Sequence, residues 1–150
     1  MDIDRRELRR GLAKARPYLL SHHLPKRRHR CYHLRPLGHR IDVCARCSGV
    51  YPGIVLGVLA FFLSPDPFAS LVVIAVLPLP ALLDWTLTSL GNYRGYNPVR
   101  TGTGAALGYG YGLGLGQLFL AGDLRVLVVG VAYATLAGAL LVLARRRSPA

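Results

Sequence analysis

The chain is short of acid. Seven Asp and Glu stand against nineteen Lys and Arg in 150 residues, a formal net charge of +12. Its three cysteines are an odd number, which excludes a complete disulfide framework within one chain. No apolar run long enough for a signal h-region precedes residue 48, so the first such run reads as a retained span rather than a cleaved leader. Basic residues are scarce where apolar ones abound: between residues 49 and 144 they are Arg94, Arg100 and Arg125. The glycines alternating through 108–116 follow no strand, which sets aside a nucleotide-binding loop.

The basic charge lies at the ends, with twelve Lys or Arg in residues 1–43 and three more at Arg145, Arg146 and Arg147. A basic half raises nucleic acid as a partner. Positive charge flanking apolar runs is, however, what cytosolic retention during membrane insertion produces, so no nucleic-acid partner is expected.

Four apolar segments, at about 49–63, 68–90, 102–122 and 124–144, are long enough to read as membrane spans. The first is short, and Ala45 to Leu63 spans if Arg46 snorkels to the interface. Placing both termini inside leaves Arg125 as the one basic residue outside, which predicts a multi-pass cell-membrane protein with cytosolic N and C termini. The expected fold is all-α: a basic cytosolic extension at 1–30, a cysteine motif at 31–48, a four-helix transmembrane domain at 49–144 and a basic tail at 145–150.

Within the extension, residues 3–20 place Ile3, Leu8, Leu12, Ala15 and Leu19 near four-residue spacing among arginines, an amphipathic helix broken around Pro17. It lies either on an anionic leaflet or on the protein's own face. His22 and His23 sit in a polar linker and are read as solvated.

Glycine recurs every fourth residue at Gly49, Gly53 and Gly57, and again at Gly104, Gly108, Gly112 and Gly116. That spacing aligns each row on one helix face, where backbones approach closely, either within the chain or across a homo-oligomer. In the second span Pro78 and Pro80 predict a kink. Asp84 follows, about 9 Å short of the inner end at Leu90 by helix rise. A carboxylate there costs roughly 2.5–3.5 kcal/mol and needs a partner.

Topology gathers Cys31, Cys44, Cys47, Asp84, Arg94 and Arg100 at one face. Cys44-x-x-Cys47 is a knuckle for two thiolates on one tetrahedral ion, with Cys31 a third ligand and His29, His33 or His39 the nitrogen donor. Zinc is the expected cofactor; thiol redox chemistry and unliganded cysteines stay open. Arg35, Arg40 and Arg46 are expected to favour the thiolate. Asp84 either pairs with a loop arginine folding back, Arg94 or Arg100, or acts as a base while those arginines hold an anion.

Cys31, the run CARCSGVYPG at 44–53, Asp84, and Arg94, Asn97 and Arg100 before Thr101-Gly102 together resemble the domain-of-unknown-function family 2085, small predicted membrane proteins, over about residues 30–116. The resemblance implies that Cys31, Cys44, Arg46, Cys47, Gly49, Tyr51, Gly53, Asp84, Arg94, Asn97 and Arg100 are motif positions. Tyr32 departs from the histidine expected beside the first cysteine, with His33 as its substitute.

The expected function is a metal site of Cys31, Cys44, Cys47 and His33 beside an Asp/Arg cluster, Asp84 with Arg46, Arg94 and Arg100, that binds an anionic group such as a membrane lipid. The alternatives are a membrane enzyme acting on a lipid phosphate, with Asp84 as base, and a transporter or proton relay through Asp84.

Overall fold

A computed structural model of the chain describes residues 6–8, 10–12, 21, 25–35, 41–63, 71–91 and 93–147. Residues 6–8 and 10–12 are helical. The rest of the proposed amphipathic stretch, with Pro17, His22, His23, His39 and Arg40, lies outside the described residues.

A 3-10 turn over Pro25–Arg30 leads into β1 (Cys31–Leu34), which pairs antiparallel with β2 (Ile41–Cys44). The register sets Cys31 against Cys44, Tyr32 against Val43, His33 against Asp42 and Leu34 against Ile41. This ribbon is a strand element that the all-α expectation lacks. Its cause is local: β-branched Ile41 and Val43 alternate with Asp42 and Cys44, and the aromatic Tyr32 sits opposite Val43, composition that suits a pleated pair.

The chain passes directly from β2 into α1 (Ala45–Leu63). There follow α2 (Leu71–Val76), α3 (Leu79–Leu90), α4 (Asn97–Phe119) and α5 (Arg125–Arg147). α2 and α3 are one span interrupted at Leu77 and Pro78, where the paired prolines remove backbone donors. Among the described residues, three helices are long and apolar enough to cross a membrane: Ala45–Leu63, Leu71–Leu90 and Arg125–Arg146. α4 is as long as α5 but falls outside that set, because its seven glycines contribute backbone without apolar side chain.

Glycine instead sets how α4 packs. Gly49, Gly53 and Gly57 of α1 face the backbone of Thr101, Ala105 and Tyr109 of α4; in return Gly104, Gly108 and Gly112 face Arg46, Val50 and Ile54. Partner numbers rise together, so the two helices run parallel and in fixed register. A Cβ at any of these six positions would overlap a partner carbonyl oxygen. The rows therefore meet each other inside one chain, where backbone contact and Cα–H···O approach replace side-chain interdigitation.

The remaining helices are looser. α2 and α3 run antiparallel to α4 and hence to α1, with Ile74 near Gly114, Leu77 near Gly110 and Thr88 near Gly95, and Asp84 of α3 reaches Arg46 at the start of α1. α5 meets α2 and α4 near its own start, where Val126 joins Ile74, Leu113, Tyr109 and Phe61, and where Tyr133 Oη donates to the Ala75 carbonyl. None of the window of α5 that is apolar enough to span is buried within the chain.

Candidate functional site

Every polar group of interest gathers at the end of the bundle where α1 and α4 begin and α3 ends. The ribbon forms its lid. Residues two apart share a face of a strand, so Cys31 and His33 point to the same side as their partners Cys44 and Asp42. Cys31 and Cys44 are buried. Cys47 lies one helical turn into α1, and its thiol hydrogen-bonds that of Cys44.

Cys31 Sγ is instead 3.2 Å from Ser21 Oγ. Burial pushes the Cys31 thiol up, the Ser21 bond opposes it, and the nearby Cys44 raises it further. The expected arginine activation is thus outweighed by desolvation at this cysteine. Among the described residues, no three His, Cys, Asp or Glu side chains converge to hold a metal ion. The donors fit a thiophilic ion in kind, with two sulfurs in contact and the third opposite one of them in the ladder.

His33 is half exposed and sits 2.7 Å from Asp42 through Nδ1. With Nδ1–H donating to the carboxylate, the tautomer places the lone pair on Nε2, the arrangement common to metal-binding histidines. Asp42 is buried and also faces Arg28 Nε at 3.6 Å. It escaped sequence reasoning, although the signal was present: Asp42 is the one acidic residue between Pro25 and Leu63.

Below the lid, Arg46 Nη2 donates to Asp84 Oδ2. The Asp84 side chain is 6% exposed and that of Arg46 25%. The partner of the intramembrane carboxylate is therefore the arginine of the cysteine motif, not Arg94 or Arg100 from the following loop. Arg46 reaches inward to this pair instead of snorkelling. Thr88, one turn beyond Asp84, donates to its carbonyl at 2.7 Å and holds that end of α3.

Arg100 has a different task. It is 3% exposed, and its Nη1 donates to Asn97 Oδ1 at 2.9 Å while Nη2 donates to the Arg94 carbonyl at 2.6 Å. Asn97 Nδ2 then donates to the carbonyls of His29 and Cys31 at 3.1 and 3.4 Å. The two residues clamp the start of α4 to the ribbon. Gly95, at φ +66°, lets the loop fold around this guanidinium; a Cβ there would meet Arg100 Nη2 and Thr88. Arg94 contributes its backbone to the clamp, and its side chain is exposed, as is Tyr51.

Tyr32, on the other face of the ribbon, bonds Thr101 Oγ1 at 3.0 Å, and Thr101 Oγ1 lies 2.8 Å from the Ala45 carbonyl. The residue that departs from the expected histidine is thus a tie from lid to seam. Gly49 and Gly53, the remaining motif positions, belong to the seam itself.

Chemically, the cluster joins a thiol-rich lid to a neutralised ion pair. A role for Asp84 as a base would require it to release Arg46, leaving a buried carboxylate uncompensated.

Apolar helices of spanning length, a glycine-built seam and a buried ion pair between helices define a helical membrane protein. The chain belongs to the family described as predicted membrane protein DUF2085, whose profile matches residues 26–113, from the 3-10 turn before the ribbon into the second half of α4. No curated protein and no solved structure matches it.

Proposed function

We infer that the chain is a four-span membrane protein with both termini in the cytosol, carrying a cysteine-based zinc site as the lid of its cytosolic end, beside an Asp/Arg cluster that binds an anionic group. Alternation of helix direction supports four spans: α1 and α4 run one way, and α3 and α5 return. On that reading α4 crosses in contact with α1, with Gly104, Gly108 and Gly112 facing the α1 backbone. The orientation follows from basic residues at both ends of the chain and in the loop before α4.

The observation that carries the metal reading is the ladder that sets Cys31 against Cys44 with the Cys47 thiol bonded to Cys44. Cys31, Cys44 and Cys47 would hold the ion, with His33 as the nitrogen ligand oriented by Asp42. Bound zinc would supply a cross-link between ribbon and α1. The chain's own residues do the rest: Asn97 and Arg100 fix the ribbon on α4, Ser21 covers Cys31, and Arg46 presents a cation beneath the lid.

Elemental analysis of the detergent-purified protein tests this. One zinc per chain, lost in the triple Cys31/Cys44/Cys47→Ser variant and weakened by roughly 10–100-fold in Asp42→Asn as an outer partner of His33, is the expected result. Protein purified without chelator that holds no stoichiometric metal would overturn the metal reading.

A further inference from the structure

The apolar stripes on the outside of α3 and α4 end at one height. On α3, Leu79, Leu83 and Leu87 recur every fourth residue; on α4, Val99 lies one turn past Tyr96 at the N-cap. All five residues are 42–68% exposed. Thr88 stands against Gly95 where the two elements meet, so Leu87 and the Tyr96–Val99 pair share that level. On α1 the exposed stripe is Tyr51, Val55 and Leu59, and no charged residue follows Arg46 down to Leu63. Tyr51 is five residues, about 7 Å, deeper than Arg46, and a helical side chain leans back toward the helix start, here toward the ribbon.

Above that level the loop into α4 carries Tyr93, Arg94 and Tyr96, all exposed. The two rings meet edge to face with centroids 6.3 Å apart, which presents them as one aromatic surface. Among the described residues neither phenol hydroxyl nor the Arg94 guanidinium has a hydrogen-bond partner. The tyrosines deeper in the helices are placed otherwise: Tyr109 packs on the Ile74 and Leu113 core, Tyr133 donates to the Ala75 carbonyl, and Tyr111 borders a cavity between α3, α4 and α5.

From this we propose that the Tyr93–Tyr96 loop sits in the phospholipid headgroup layer of the leaflet at the ribbon end, its phenol hydroxyls and the Arg94 guanidinium bonded to phosphate and glycerol oxygens. An aromatic ring with one polar tip is most stable where hydrocarbon gives way to headgroups, and a guanidinium there finds phosphate. Aliphatic below, aromatic at the edge and cationic above is the order in which a leaflet itself changes; a protein partner imposes no such order. The hydrocarbon edge then runs past Leu87 and Val99. Asp84 lies three residues, about 4.5 Å, below Leu87. The Arg46–Asp84 pair therefore falls just inside the hydrocarbon, where a lone carboxylate is costly, and the ribbon lies on the aqueous side. The seat requires the spans, but neither the metal, nor an anion held by the Asp/Arg cluster, nor a particular side of the membrane for the ribbon end.

Trp85 is the chain's sole tryptophan and neighbours Asp84, so moving the indole maps the edge. Tyr93→Trp and Tyr96→Trp are each made in a Trp85→Phe chain, and the full-length proteins are reconstituted in phosphatidylcholine vesicles beside the parent. Quenching is measured with a headgroup nitroxide lipid, an acyl-chain nitroxide lipid and aqueous iodide. The ratio of acyl-chain to headgroup quenching should be severalfold lower at positions 93 and 96 than for Trp85 of the parent. Arg94→Glu, added to Tyr96→Trp, should lower headgroup quenching when phosphatidylglycerol is included, because a carboxylate then faces lipid phosphates.

Indoles at 93 and 96 quenched by iodide but by neither lipid would put the loop in bulk water, and indoles shielded from all three quenchers would put a protein over it; either result overturns the proposal. So does headgroup quenching that Arg94→Glu leaves unchanged. The two loop positions are independent probes, so the depth is still read if one of the tyrosine variants fails to fold.

Discussion

Glycine lines α1 and α4 every fourth residue and marks α5 at Gly130 and Gly138, yet the two regions put it to opposite use. Along the α1–α4 seam Gly49, Gly53, Gly57, Gly104, Gly108 and Gly112 lie against a partner's backbone and Gly116 against the Phe61 ring, whereas on α5 both face open space. The seam is held by direct backbone approach along its length; α5 is held near its start by Val126 and by the Tyr133–Ala75 bond. A missing side chain therefore stabilises only where another group fills its place; where none does, as at Gly130 and Gly138, it leaves volume beside α5.

Substitution at matched positions is the sharpest way to break this contrast. Gly53→Leu or Gly108→Leu should abolish folding or cost well over 3 kcal/mol, since the obstructing atoms are backbone and cannot rotate away. Gly130→Leu should fall within about 0.5 kcal/mol of the parent. Thermal unfolding of the three variants in one detergent measures the difference; similar losses at all three sites would dissolve the distinction between seam and flank.

The ion pair beside the seam comes next. Arg46→Gln alone should destabilise by about 3–5 kcal/mol because Asp84 is left buried and uncompensated. Arg46→Gln/Asp84→Asn should recover most of that loss. Were the double variant as unstable as the single, Arg46 would be contributing packing rather than charge.

On the α5 side, Tyr133→Phe removes one hydrogen bond to the Ala75 carbonyl and should cost about 1 kcal/mol. Thermal unfolding in detergent checks it, and an unchanged midpoint would mean that the contacts of Val126 and its neighbours hold the helix without this bond.

The smallest effect belongs to the turn before α5. Hydrogen bonds from Arg125 hold the Asp123 carboxyl below its ordinary value. A depressed folded value contributes stability that is present above the unfolded carboxyl's pKa and lost as pH falls through the folded one. Wild type and Asp123→Asn should therefore differ slightly at neutral pH and converge below about pH 4. Melting curves across that range check the sign, and divergence toward acid would contradict it.

Much of the candidate site is legible from residue type and spacing. Cys44 and Cys47 announce themselves by spacing, and Asp84 by its cost in an apolar segment. The break at Pro78 and the glycine faces were readable for the same reason: each is a local rule of backbone chemistry. The partner of Asp84 was not. Three arginines approach that face, and charge counting cannot choose among them; Arg46 wins because the close α1–α4 approach carries its first turn alongside α3, while Arg100 is spent on Asn97 and the Arg94 carbonyl. Asp42 was passed over because it sits in β2, whose pairing with β1, setting it against His33, depends on the antiparallel register.

What the sequence by itself determined is the membrane setting, the basic end, the faces of α1 and α4 able to pack without side chains, and the thiol-bearing motif above them. All are consequences of composition and period, which act over a few residues. Only the tertiary structure decided which glycine row met which, which arginine took the buried carboxylate, and that α5 would leave a slot beside it. Those outcomes depend on contacts between residues tens of positions apart, where period specifies that a face must be covered but backbone approach selects what covers it.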